Sequence, residues 1–146
     1  MLCVICSAGG HLSEALEAVS KTEVPMYFVT FGEPHARLRL SGKETYYVID
    51  PHTSLIKYAL NVFQSMWILL KKRPKVILST GAGIALATCV LGRLFGAKII
   101  FLESGARIST PSKTGKLMYK IAHVFIVQWK PMLKVFPDAK YVGPLL

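Results

Sequence analysis

The stretch KVILSTGAGIALATCVLGRLFGAKIIFL, residues 75–102, decides the fold class of this chain. It contains two runs rich in apolar and β-branched residues, KVILS (75–79) and KIIFL (98–102), separated by a glycine turn and a helical pattern. Runs that are apolar at nearly every position are typical of strands buried on both faces. The stretch therefore predicts a strand–helix–strand unit with parallel strands and a right-handed crossover.

The same alternation continues toward both ends and predicts one domain over residues 1–146. Strands are predicted at 2–7, 26–31, 46–49, 75–79, 98–102, 123–127 and 140–142. Helices are predicted at 11–21, 55–73, 83–95, 113–121 and 131–135, with a loop around Gly32 and Pro34. We therefore expect an α/β fold, a Rossmann-like parallel sheet flanked by helices.

Charge is distributed unevenly along the chain, whose formal net charge is +10. Residues 1–50 contain four Lys or Arg and six Asp or Glu, whereas residues 51–146 contain fourteen and two. A basic segment indicates either a solvated basic face or an anionic partner: a nucleic acid, a phosphorylated ligand or an acidic lipid surface. The chain has no recognition-helix, RRM or KH signature, so we expect no nucleic-acid partner.

The three cysteines are expected to be small core residues rather than a disulfide, redox or metal site. Cys3 and Cys6 lie in the first predicted strand, where side chains three positions apart point to opposite faces. A redox C-x-x-C motif begins a helix instead. The segment GAGIAL (81–86) resembles a dinucleotide-binding fingerprint, but Leu86 replaces its third small residue. We expect neither a cofactor nor a metal.

The predicted helix 55–73 has a wide apolar face, contains Trp67 and ends in the cations Lys71, Lys72 and Arg73. Its polar residues form a thin stripe of Lys57, Asn61, Gln64, Ser65 and Lys72. Two interpretations remain open: the apolar face contacts a bilayer surface, or it packs against the sheet and a neighbouring helix. No apolar stretch reaches the roughly 20 residues of a membrane span, and no signal peptide is expected, so we expect the chain on the cytoplasmic side.

Glycine-containing turns follow three of the predicted strands. They carry the candidate residues Ser7, Gly9, Gly10, His11, Gly81, Gly83, Glu103, Ser104 and Arg107. The carboxyl ends of parallel strands share one edge, where ligands bind, and glycines and helix N-termini there suit an anion. The other interpretation is that tight strand–helix turns simply need glycine. A stripe of Lys113, Lys116 and Lys120 follows the third turn and either attracts anions or forms a solvated face.

Four segments together resemble a known family over nearly the whole chain. They are SAGGHLSEAL, STGAGIALA, FLESGARISTPSKTGKLMYKIAHVFIVQW and the closing DAKYVGPL. These segments are similar to the membrane-recruiting, acceptor-binding subunit of the two-subunit N-acetylglucosamine transferase of lipid-linked oligosaccharide synthesis, and to its bacterial exopolysaccharide relatives. The resemblance implies the fold of the N-terminal domain of a GT-B glycosyltransferase.

This resemblance implies a function for each turn. The chain is expected to be a subunit of an inverting enzyme, active only with a donor-binding partner chain, and to bind a polyprenyl-diphosphate-linked sugar at the cytoplasmic membrane face. Gly9, Gly10 and His11 are expected near the acceptor diphosphate, with Ser7, Gly81, Gly83, Ser104 and Arg107. Trp67, Lys71, Lys72, Arg73, Lys113, Lys116 and Lys120 are expected to contact the membrane.

The role of His11 stays open at this level. A side chain at this position acts as the catalytic base, contacts the diphosphate or caps the helix. Glu103 is the other candidate base. The alternative function is a small nucleotide-binding Rossmann protein that acts alone.

Overall fold

Seven strands form one sheet in the computed structural model, which describes residues 1–146. The strands are β1 (Leu2–Ile5), β2 (Met26–Thr30), β3 (Thr45–Tyr47), β4 (Val76–Ser79), β5 (Lys98–Leu102), β6 (Val124–Val127) and β7 (Lys140–Tyr141). The helices are α1 (Gly10–Ala18), α2 (Pro34–Arg39), α3 (Leu55–Lys72), α4 (Ile84–Leu94) and α5 (Lys113–Met118), and a 3₁₀-helix covers Lys130–Lys134.

The strand order is β3-β2-β1-β4-β5-β6-β7, and every neighbouring pair is parallel. The predicted Rossmann-like parallel sheet is therefore confirmed. The chain first builds the sheet outward from β1 to β3, and α3 then returns it to the other side of β1, where β4 pairs. This reversal between β1 and β4 is the position where a doubly wound sheet opens a crevice at its carboxyl edge.

Helices cover both faces of the sheet, and each face has its own core. Cys6 belongs to the smaller cluster, which α1 and α2 cover, whereas Cys3 belongs to the larger cluster under α3, α4 and α5. Cys3, Cys6 and Cys89 are buried and free, as expected of core residues, and Cys3 in β1 and Cys6 just after it face opposite sides of the sheet. Burial raises the pKa of the Cys3 and Cys6 thiols to about 12.

The helix α2 is the one helix that the sequence did not predict. Gly32 and Pro34 indicated a loop, but Pro34 occupies the first turn of α2, where a missing N–H leaves no hydrogen bond unmade. The remaining predicted elements are present with ends that differ by a few residues. The helix α5, for example, ends at Met118 rather than at Ile121.

The longest helix, α3, buries two residues of its polar stripe, whereas Lys57 and Gln64 of that stripe are exposed. Asn61 and Ser65 are buried: the Asn61 amide donates to the Ile49 carbonyl at 2.9 Å, and Ser65 accepts from Thr88 on α4 at 2.9 Å. The outward face carries the exposed apolar side chains Leu55, Ile56, Leu60, Phe63, Trp67 and Leu70, which we call the α3 apolar surface. Packing against α4 therefore uses the side of α3 that carries Ser65 and leaves the wide apolar face uncovered. None of the helices, α3 included, has the length and hydropathy that crossing a membrane would require.

Candidate functional site

A cleft of about 390 Å³ opens at the carboxyl edge of the sheet, beside the reversal between β1 and β4. Its lining comes from the turns after β1, β4 and β5 and from the start of α5. The lining residues are His11, Gly81, Ala82, Ser104, Ala106, Arg107, Ser112, Lys113 and Thr114. The structure thus brings the three predicted turns together at one site, because parallel strands end at a common edge.

His11 is fixed in one orientation by Thr80. Its Nδ1 lies 2.7 Å from the Thr80 carbonyl oxygen, and the Thr80 hydroxyl donates in return to the His11 carbonyl at 2.8 Å. A carbonyl oxygen only accepts, so Nδ1 carries the proton and Nε2 is left with its lone pair. The side chain is 31% exposed, so the imidazole remains accessible from the cleft. In this tautomer Nε2 can accept a proton from a substrate.

The turn after β4 holds the imidazole closely. Gly81 has φ +114°, and a Cβ at this position would approach His11 Cε1 to 3.2 Å, so a side chain there meets both backbone strain and the ring. Ala82 follows with φ 74°, the left-handed region that is uncommon for a residue with a Cβ. Because Gly81 and Ala82 both have positive φ, the backbone can run beside His11 before α4 begins.

Glu103 lies outside the cleft lining and is 2% exposed. Its carboxylate accepts from the Ser104 N–H at 3.0 Å, from the Ser112 N–H at 3.2 Å and from the Ser112 hydroxyl at 2.8 Å. Gly115 packs against the same carboxylate so closely that a Cβ would overlap it. These contacts make Glu103 the residue that closes the loop between β5 and α5, and they leave it little access to a substrate.

Three further residues hold that loop at Gly105, and the sequence analysis did not single them out. The Gly105 N–H donates to Glu14 Oε1 at 2.6 Å, and the Gly105 carbonyl accepts from Trp129 Nε1 at 2.7 Å. Gln128 Nε2 donates to Glu14 Oε1 and to the Glu103 carbonyl, both at 3.1 Å. The available signal was Glu14 itself, a charged residue on the helix face that also carries the buried Leu12 and Ala15.

The ionisable side chains that line the cleft are all basic. Arg107 and Lys113 are exposed, His11 is half-buried, and no carboxylate is among the lining residues. Such a site favours an anion with several oxygens, for which guanidinium and ammonium groups are the usual partners. Nowhere in residues 1–146 do three His, Cys, Asp or Glu side chains meet as a metal ion would require.

Some predicted site residues lie beside the cleft rather than in its lining. Gly9 and Gly10 are exposed at the start of α1, Gly83 is exposed before α4, and Ser7 is half-buried at the end of β1. Gly9 has φ +76°, so that position favours glycine, whereas Gly10 has open space around it. These residues form the approach to His11 along the same edge.

The predicted membrane residues divide into two groups. Trp67 is 56% exposed in the α3 apolar surface, Lys71 Nζ lies 4.7 Å from its ring centroid, and Arg73 is exposed just after the end of α3. Lys72 departs from the expectation: its side chain is only 16% exposed and pairs with Glu44 at 2.7 Å. The group of Lys113, Lys116 and Lys120 is exposed, and Lys113 also lines the cleft.

Comparison with known proteins places this chain among oligosaccharide biosynthesis proteins. A family model described as "Oligosaccharide biosynthesis protein Alg14 like" matches residues 44–145. The UDP-N-acetylglucosamine transferase subunit ALG14 of Mus musculus is 26% identical over 99% of this chain and 82% of its own length. The subunits of that name from Candida albicans and Schizosaccharomyces pombe are 29% and 26% identical over 99% and 97% of this chain, and over 78% and 81% of their own lengths.

Solved structures share the fold. The MurG structure from Acinetobacter baumannii superposes with a TM-score of 0.75 at 15% identity, over 98% of this chain and 45% of that chain. The UDP-N-acetylglucosamine 2-epimerase of Rickettsia bellii gives 0.79 at 11% identity, over 99% of this chain and 44% of that one. The chain spans less than half the length of both proteins, and it corresponds to one of their domains in architecture.

Proposed function

The chain belongs to the Alg14-like family of oligosaccharide biosynthesis proteins, and on that premise we propose that it is the acceptor-binding subunit of a two-chain glycosyltransferase. The observation that carries the proposal is the cationic cleft at the carboxyl edge, into which the oriented His11 opens. The alternative of a small nucleotide-binding protein acting alone is not favoured, because the relatives are named as transferase subunits.

The acceptor in this proposal is a sugar linked to a polyprenyl diphosphate, and the transferred sugar is N-acetylglucosamine from UDP-N-acetylglucosamine. A diphosphate presents several charged oxygens, which suit Arg107 and Lys113 together with the N-terminal turn of α1 behind Gly9 and Gly10. Ser104 adds a hydroxyl to the same lining, whereas the Ser112 hydroxyl already donates to Glu103. Bound there, the diphosphate holds the acceptor sugar at the mouth of the cleft.

His11 is the base in this scheme. Transfer to a hydroxyl requires a group that takes its proton, and Nε2 is the ring nitrogen with the free lone pair. Glu103 is the weaker candidate for that role because its carboxylate is buried and already accepts hydrogen bonds from Ser104 and Ser112. We therefore assign Glu103 to holding the loop and His11 to proton transfer.

A partner chain supplies the donor site in this proposal. The relatives are named as subunits, and in the two structural neighbours the corresponding domain accounts for less than half of the chain. The active site would then lie between the two chains, with the cleft facing the donor sugar.

The α3 apolar surface is the proposed contact with the cytoplasmic face of the membrane. It exposes six large apolar side chains on one helix, and that helix carries no acidic residue. Lys57, Lys71 and Arg73 are exposed around it, and their charge is complementary to anionic lipid headgroups. A peripheral attachment of this kind keeps the acceptor lipid and the cleft at the same surface.

Purification of the chain from its native host, followed by identification of the co-purified proteins, tests the two-chain proposal. We expect a second half-transferase to co-purify, and we expect turnover from UDP-N-acetylglucosamine only when both chains are present. Robust turnover by this chain alone contradicts the proposal.

Two substitutions in the reconstituted complex test the site. His11→Ala should lower kcat about 100-fold or more while partner binding stays near wild type, and the free energy of unfolding should fall only by the roughly 1 kcal/mol of the lost hydrogen bond to Thr80. Gly10→Val adds a β-branched side chain where the folded chain has open space, so we expect it to fold and to lose turnover by obstructing the diphosphate. Normal turnover in both variants places the acceptor elsewhere, and a change in acceptor KM alone makes His11 a binding residue.

A further inference from the structure

We propose that Glu14 positions His11 and stabilises its charged form during proton transfer, an inference that rests on the proposed role of His11. Glu14 lies one turn after His11 on α1 and is 5% exposed. A carboxylate buried in this way is costly unless hydrogen bonds or a cation compensate it. The environment of its two oxygens therefore indicates what the residue does.

The two oxygens have different surroundings. Oε1 accepts from the Gly105 N–H at 2.6 Å and from Gln128 Nε2 at 3.1 Å, so it joins α1 to the loop that carries Ser104 and Arg107. Oε2 is buried with no hydrogen-bond partner and lies 3.9 Å from His11 Nδ1. One oxygen thus has a complete structural role, and the other is left facing the imidazole.

The groups around His11 make that oxygen important. The Thr80 carbonyl accepts from Nδ1, Gly81 packs against the ring, and Arg107 and Lys113 line the same cleft. The two cations oppose a positive charge on the imidazole, and Glu14 is the carboxylate within ion-pair distance of the ring. Its negative charge favours the imidazolium because opposite charges at this separation attract strongly away from bulk water.

Proton transfer to His11 accompanies formation of the new glycosidic bond. The acceptor hydroxyl loses its proton to His11 Nε2 while its oxygen forms a bond to the anomeric carbon of the donor sugar. The bond from that carbon to the phosphate oxygen breaks, and the nucleoside diphosphate leaves with the electron pair. The resulting imidazolium still donates from Nδ1 to the Thr80 carbonyl, and its positive charge lies beside Glu14 Oε2. The Nε2 proton later passes to water.

An NMR titration of the full chain tests the electrostatic contact without any need for turnover. The chain has four histidines, and the spectrum of His11→Ala identifies the His11 ring signal. Glu14→Gln keeps the size and an acceptor oxygen but removes the charge, so the titration midpoint of His11 should fall relative to wild type if Oε2 contacts the ring. Glu17→Gln removes the same charge from an exposed position on α1 and should leave the midpoint unchanged.

The reconstituted complex gives the second measurement. Glu14→Gln should lower kcat about tenfold or more with little change in acceptor KM, and the acid limb of the pH profile should move to lower pH with the NMR midpoint. Glu14→Asp, which keeps the charge one methylene farther away, should give a smaller shift in the same direction.

The outcomes separate this inference from the proposed function. An unchanged His11 midpoint in Glu14→Gln overturns the inference whatever the turnover. A shifted midpoint together with normal turnover of His11→Ala leaves the contact in place and overturns the role of His11 as the base. If neither Glu14 variant folds, Glu14 is a structural anchor and the positioning role is wrong.

Discussion

His11 and Thr80 are bound to each other by two reciprocal hydrogen bonds across 69 residues of sequence. The imidazole Nδ1 donates to the Thr80 carbonyl at 2.7 Å, and the Thr80 hydroxyl donates to the His11 carbonyl at 2.8 Å. The first residue follows β1 and the second follows β4, so the pair spans the reversal in strand order. This pair of hydrogen bonds therefore joins the two halves of the sheet, and the bond from Nδ1 selects the tautomer of His11.

Substitution of Thr80 tests the strength of this pair. Thr80→Val keeps the shape but removes the donor to the His11 carbonyl, so the free energy of unfolding should fall by about 1 kcal/mol. Thr30 provides a matched control: it is also fully buried, but its hydroxyl has no hydrogen-bond partner. Thr30→Val should be neutral or stabilising in the same urea titrations. Equal losses in the two variants would contradict the contribution assigned to the Thr80 hydroxyl.

Binding to vesicles tests the α3 apolar surface. We expect sedimentation with phosphatidylcholine vesicles that contain phosphatidylglycerol, and weaker sedimentation without it or at high salt. The double variant Phe63→Gln/Trp67→Gln removes two exposed aromatic side chains and should weaken binding about tenfold or more. Leu38→Gln is the control, because Leu38 is just as exposed but lies on α2, on the other face of the sheet.

The three cations at the C-terminal end of α3 allow a comparison of exposed and covered charges in vesicle binding. Lys71→Gln and Arg73→Gln should each weaken binding to the anionic vesicles by about 1 kcal/mol at low salt. Lys72→Gln should have little effect on binding because Lys72 is largely covered and pairs with Glu44. Equal effects of the three substitutions, or binding that salt does not change, would contradict the proposed contact between α3 and the membrane.

Glycine substitutions test the closure of the loop between β5 and α5. In Gly115→Ala the new methyl group overlaps the buried Glu103 carboxylate and approaches the Ser112 hydroxyl to 2.8 Å. We expect a loss of about 1–3 kcal/mol in the free energy of unfolding. Gly83→Ala, at a position with φ −60° and open space, should change stability by less than about 0.5 kcal/mol. Similar melting temperatures for both variants would show that Glu103 is free to move.

The Glu44–Lys72 pair predicts a pH dependence of stability. Hydrogen bonds from Lys72 and Tyr46 lower the pKa of Glu44 below 4.5, and the Glu44 carboxylate raises the pKa of Lys72 above 10.5. The contribution of Glu44 is therefore present above pH 4.5 and is lost as the pH falls through its lowered pKa. That of Lys72 is present below pH 10.5 and is lost as the pH rises through its raised pKa. Glu44→Gln should differ from wild type between these limits and converge with it in acid, as thermal melts across the pH range would reveal.

Much of the sheet could be predicted because its strands are short apolar runs bounded by turns. The orientation of α3 could not, because a periodic pattern defines two faces but does not say which one is buried. Small polar residues such as Ser65 permit close packing against α4, and that contact places the apolar face outside. The helix α2 was missed because a proline is typical both of a loop and of the first turn of a helix, which Pro34 occupies.

The candidate site also has features that could be predicted from the sequence and features that could not. The convergence of His11, Gly81, Ser104 and Arg107 could be predicted from parallel strands that end at one edge. The contacts of Glu14 and Gln128 could not, because they depend on the depth at which α1 and β6 place two polar side chains behind the loop. Thr80 acts through a backbone carbonyl, and a sequence carries no direct signal for such a role.

The central position of β1 has a consequence for how the chain folds. The strand β1 lies between β2 and β4 in the finished sheet, and β4, the later of these two neighbours, begins at Val76. Until β4 has been made, one edge of β1 has no strand to pair with, and apolar surface remains open to other chains. Pairings of such long sequence separation are slow to form, so arrival of β4 is a natural rate-limiting event in folding. The His11–Thr80 pair, which forms beside that junction, would be among the contacts made when the two halves of the sheet join.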